Sequence, residues 1–177
     1  MGNANPNSTV GRAQVRQVLY NFINPPQVDG INQVFTSLPK RIDFQVNALP
    51  NQQSRVAVVI FIESETETRI ALGGFNGTDD GAHAGWKRID YTVILQLFQH
   101  SLSRTAEQAM DDFDYVIDCL KERLRSDHTF GDPTGALIWQ GAEPQIDVTY
   151  GEPMSQKGTS TETWASMRFT VTQMIQA

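Results

Sequence analysis

Cysteine is nearly absent: Cys119 is the single example in 177 residues. That excludes an intrachain disulfide framework and a cysteine-rich zinc site, and it fits a reducing compartment. Basic residues are also scarce, with 14 Lys and Arg against 20 Asp and Glu for a net charge of -6. Such a balance leaves no electrostatic footprint for gripping nucleic acid or an anionic membrane. Long apolar runs are missing too. The longest, VAVVIFI at 56–62, is far below the roughly 20 residues of a spanning helix. The opening MGNANPNSTV has neither the basic stretch nor the apolar core of a signal peptide, and Pro6 stands where a myristoylation motif beginning at Gly2 wants Ser or Thr.

What is present alternates between two periods. Val15, Val18, Leu19, Phe22 and Ile23 recur at helical spacing within 8–24, with Asn7 or Ser8 as N-cap and Pro25–Pro26 as the stop. Ile31, Val34, Phe35 and Leu38 repeat at i, i+3, i+4 and i+7 after Asp29 and Gly30, which predicts a second, shorter helix. RVAVVIFIES at 55–64 and TETRIALGG at 66–74 read as two strands. Ile89, Tyr91, Val93, Leu95 and Leu97 then alternate with polar positions in a long strand at about 86–98. Residues 104–125 return to helical period, with Ala106, Met110, Phe113, Ile117, Leu120 and Leu124 on one face. Strand candidates at 135–142, 144–151 and 163–175 complete the chain. The order predicts one α+β domain over 1–177, with a flexible 1–8 and a mainly antiparallel or mixed sheet packed with one long helix and the N-terminal helices.

Four features of the sequence are candidates for chemistry. The loop GGFNGTDDGAHAGW at 73–86 lies between two strands and lacks the GK[ST] end of a phosphate cradle. Its oxygens also lack calcium-loop spacing. It therefore reads as a connection with an interaction role, carried by Gly74, Phe75, Asn76, Asp79, Asp80, His83 and Trp86. His83, His100 and His128 are too scattered for a close metal pair. Cys119 falls beside the apolar stripe of the long helix and reads as a small buried hydrophobe. Asp111, Asp112, Asp114 and Asp118 read as a solvated, dipole-compatible helix face. No GxSxG, dinucleotide fingerprint or other nucleophile motif occurs, so no catalytic, cofactor-binding or metal residue is expected and the weight moves toward assembly.

The segments GWKRIDYTVILQLF, AEQAMDDFDYVIDCLKERLRSDHTFG and GEPMSQ...TWASMRFTVTQ resemble tail terminator proteins of long-tailed bacteriophages over about residues 86–175. In that pattern a long strand leads into an Asp-rich helix, and a small strand set ends in a strand entered through Trp. Arg88, Tyr91, Asp111, Leu124, Arg125, Gly131 and Trp164 stand at matching points. The resemblance implies a virion structural protein, made in the host bacterial cytoplasm, that is no enzyme. It implies a homohexameric ring that caps the tail tube, stops its polymerisation and meets the head connector protein, while DNA passes through the channel without specific binding. Two alternatives stand beside it: another phage neck or tail-completion protein, and a small hydrolase without a recognisable motif.

Overall fold

The computed structural model describes residues 11–45, 47, 52–71, 86–132, 137–139, 145–151, 154–157 and 160–176. Chain order is α1 (Arg12–Ile23), β1 (Ile31–Phe35), β2 (Ser54–Ala71), β3 (Trp86–Ser101), α2 (Ala106–Ser126), β4 (Leu137–Trp139), β5 (Asp147–Tyr150), β6 (Met154–Lys157) and β7 (Ser160–Gln176). The fold is α+β, with a mixed sheet of main order β1-β2-β3-β7-β4 and with β5 and β6 also paired to β7. One N-terminal helix is present among the described residues, where two were expected.

α1 forms because Val15, Leu19, Phe22 and Ile23 make one apolar stripe, and all four are buried. The expected caps Asn7 and Ser8 lie outside the described residues; Gly11 is the N-cap, without a side-chain bond. At the other end, Asn24 is extended ahead of Pro25, as the residue before a proline prefers.

The predicted helix at 31–38 is strand β1, parallel to β2, with Ile31 opposite Val56 and Phe35 opposite Val59. Short apolar runs fit either period, and here tertiary pairing decides. Asn32 makes the difference concrete. Its buried carboxamide accepts from the Val56 N–H at 2.9 Å and donates to Gln52 at 2.8 Å, binding both neighbouring segments. Gly30, expected just ahead of that helix, has φ +81°, and its Cα lies directly against Val116. Only glycine fits both demands. Leu38, expected on an apolar face, is 67 % exposed.

The two strands expected at 55–64 and 66–74 are one, β2, with a register irregularity between Ile62 and Ser64. The irregularity marks the point where the sequence changes from apolar to ESETETR. β3 lies antiparallel between β2 and β7. Its alternate residues Ile89, Tyr91, Val93, Leu95 and Leu97 are all buried. α2 starts at Thr105, whose hydroxyl accepts from the Gln108 N–H at 3.1 Å. Its buried stripe is Ala109, Phe113, Val116, Ile117, Leu120 and Leu124. Ala106 is exposed and Met110 half-buried, so the face is turned slightly from the expected one. Ala109 and Val116 extend the face on the side away from Met110.

Both helices lie on the same face of the sheet. Gln14 of α1 reaches Gln173, which in turn accepts from the Tyr91 hydroxyl, while Gln99 on that face donates to Ala109 O of α2. Phe22, Phe130 and Phe169 join α1, the turn after α2 and β7: Phe22 and Phe130 meet edge-on at 5.6 Å, and Phe130 and Phe169 lie 6.4 Å apart. Arg123 lies 4.0 Å over the Phe22 ring and donates to Phe22 O at 3.1 Å, clamping the helices together.

Candidate interaction surface

The two edges of the sheet differ. On the outer side of β7, β4 pairs with 171–173, β5 with 165–168 and β6 with 160–162, so short strands cover that edge in succession. β7 itself is internal. On the outer side of β2, β1 pairs only with the stretch from Val56 to Val59. Among the described residues no strand continues that edge over 60–71. Unpaired N–H and C=O groups along a strand form a template for a further strand.

This open stretch carries the acids of ESETETR, each held by a cation. Glu63 meets Arg168 at 2.8 Å, Glu65 meets Arg12 at 2.8 Å and Glu67 meets Lys87 at 3.0 Å. The bond to Glu65 raises the affinity of the Arg12 guanidinium for its proton. Burial, with Glu65 nearby, pushes the Tyr91 hydroxyl up from its ordinary value. On β3, Asp90 takes Arg88 at 2.9 Å and the Thr172 hydroxyl at 2.6 Å. The three glutamate pairs lie at the surface and are individually weak, but they fix where charge sits along β2.

A groove of about 490 Å³ lies beside α2, lined in part by Gly30, Ser54, Gln108, Asp111, Asp112 and Tyr115. Tyr115 donates to Asp29 at 3.1 Å. Its hydroxyl is pushed up to about 12, first by its bond with Cys119 and then by Asp29. Tyr150 on β5 is likewise pushed up to about 12, first by burial and then by its bond to Asp114.

Gly74, Phe75, Asn76, Asp79, Asp80 and His83 lie outside the described residues. Trp86 opens β3, paired with Ala71 and Gln176. His100 stacks on Phe44 at 5.4 Å, and its Nδ1 is 3.7 Å from Glu162; His128 is exposed on the turn after α2. Cys119 is half-buried against the core. Asp111, Asp114 and Asp118 are exposed, and Asp118 pairs with Lys121, whereas Asp112 accepts from the Ser103 hydroxyl at 3.3 Å. Ser101, Ser103 and Asp112 form a hydrogen-bonded chain without a histidine, and it ties the end of β3 to α2. No group of His, Cys, Asp and Glu suited to a metal occurs among the described residues, and no helix there is long and apolar enough to cross a membrane.

Of the positions that carry the resemblance, Tyr91 and Leu124 are buried, and Trp164 packs on the Gly151 backbone. Gly131 has φ +68°, and Asp111 and Arg125 are exposed. No protein-family model matches the chain, and no curated protein matches it significantly in sequence. The open edge of β2 escaped the sequence reading. Its available signal was the alternation of acids at 63, 65 and 67, a common way of protecting an exposed edge.

Proposed function

We propose that this chain is a ring-forming tail terminator of a long-tailed bacteriophage. In this reading, copies of the chain cap the tail tube, stop addition of the tube protein and present a face to the head connector protein. The observation that carries the reading is the inequality of the two sheet edges. A closed ring needs a heterologous contact between two different patches of one subunit. An edge covered by β4, β5 and β6 beside one left open over 60–71 supplies unlike patches on one sheet. The likeness of residues 86–175 to terminators adds to it. Charge is in keeping: six copies at -6 each carry 6 × -6 = -36, and an acidic lumen lets DNA pass without trapping its phosphates. The protein acts by binding, with no substrate turned over.

The test adds purified protein to growing tail tubes and measures their length by electron microscopy. Arrested tubes, each ending in a six-fold ring, are expected. Tubes that outgrow their normal length at saturating protein, with bare ends, would sink the reading. A ring that binds the isolated connector and ignores tube ends would instead mark a head-tail joining protein.

A further inference from the structure

We propose that copies of this chain associate head to tail by inserting the segment 38–41 of one copy, Leu-Pro-Lys-Arg, into the groove beside α2 of the next. The inference deepens the ring reading, on which it rests, by naming two surfaces that meet. The insert is an apolar side chain followed by two cations. Leu38 is 67 % exposed, and Lys40 and Arg41 are both exposed, with no hydrogen bond or ion pair among the described residues. The groove has the complementary character. Asp111 and Asp112 line it without a cationic partner among the described residues, Gln108 adds an amide, and the ring of Tyr115, 56 % exposed, offers a flat face. Carboxylates beside an aromatic face suit a Lys or Arg head, and the ring also receives an aliphatic side chain.

Their placement makes the contact one between copies. Gly30, on the groove wall, immediately precedes β1, and Leu38 follows the end of β1 by three residues. β1 advances about 13 Å at roughly 3.3 Å per residue, and the chain then returns beside it, since Gln33 donates to Asp43 O and Asn47 donates to Asn32 O. Insert and groove thus lie past opposite ends of one strand. Each copy offers both halves of a contact that it does not complete by itself, the condition for a heterologous chain or ring.

Two variants test the proposal. K40E/R41E spoils the insert and leaves the groove, while Q108K/D111K spoils the groove and leaves the insert. All four side chains are exposed, and both variants should keep the wild-type thermal midpoint. In sedimentation velocity at low salt the wild type should form species larger than dimers. Each variant alone should associate at least about tenfold more weakly, as like charges are then brought together. An equimolar mixture should regain association beyond dimers, because each pair then brings one unaltered insert to one unaltered groove and one acidic insert to one basic groove. Variants that associate like the wild type overturn the proposal, as do a mixture that associates no better than either variant alone and a wild-type chain that is monomeric at every attainable concentration. Arrested tubes with unaffected variants would remove this contact and leave the terminator reading. Oligomers that depend on both patches but fail to arrest tubes would do the reverse.

Discussion

Gln99 is a buried amide with its polar atoms engaged. It donates to the Ser54 hydroxyl at 2.5 Å and to Ala109 O at 2.8 Å, and it accepts from the Thr163 hydroxyl at 2.7 Å. One side chain therefore joins β2, α2 and β7 to β3. Replacing it by Leu leaves the Thr163 hydroxyl without its acceptor in a buried place, and should cost about 1–3 kcal/mol; an unshifted urea midpoint would disprove this role. Asp127, which ends α2, accepts from the Thr129 N–H, the Thr129 hydroxyl and the Gly131 N–H at 2.8, 2.7 and 3.0 Å. These bonds, those from Thr129 first, hold its carboxyl below the ordinary value of 3.8. A depressed carboxyl contributes stability that is complete above the unfolded value and is lost as pH falls through the folded one. The stability difference between wild type and D127N should accordingly narrow as pH drops below 3.8. Midpoints measured across an acid series check this, and a constant difference would show that the charge of Asp127 is idle.

At the scale of elements, α2 is held by its apolar stripe. Phe113 is wholly buried in the same cluster as Leu95, Leu97 and Ile117. Phe113→Ala should destabilise the fold by about 3–5 kcal/mol, the transfer loss plus the cavity left behind. A wild-type denaturation midpoint would mean that the helix is not anchored there. β2 shows how an element changes character along its length. Val56, Val58 and Ile60 are buried in the core, whereas 63–69 are exposed and charged. The first half packs and the second half reaches into solvent beside β3.

For the whole molecule, one core cluster includes residues from α1, β1, β2, β3, α2 and β7. Elements that share a single core unfold together in most small domains. Urea unfolding followed by tryptophan fluorescence and by far-ultraviolet circular dichroism should therefore give coincident single transitions. Two separated transitions would divide the chain into independent units. The measurement is best made at low protein concentration, because any association between copies would add stability that depends on concentration.

The sequence by itself determined the elements whose period is long and whose contacts are local or repetitive. The alternation from Ile89 to Leu97 sets one face of β3, and the apolar stripe of α2 specifies a helix. The α+β class follows from their order. Candidate-site residues were less legible: the loop residues from Gly74 to His83 lie outside the described residues, and the sheet edge and the α2 groove have no motif. Only the tertiary structure decided the rest. Ile31, Val34 and Phe35 fit a helix by spacing, yet the Asn32 carboxamide and the parallel pairing with β2 make the segment a strand. Likewise, the run from Val56 to Ile62 and the acids after it join in one strand because β3 pairs with both. Which edge stays open depends on where β1, β4, β5 and β6 dock, and such partners, distant in the chain, leave no period in the residues they meet.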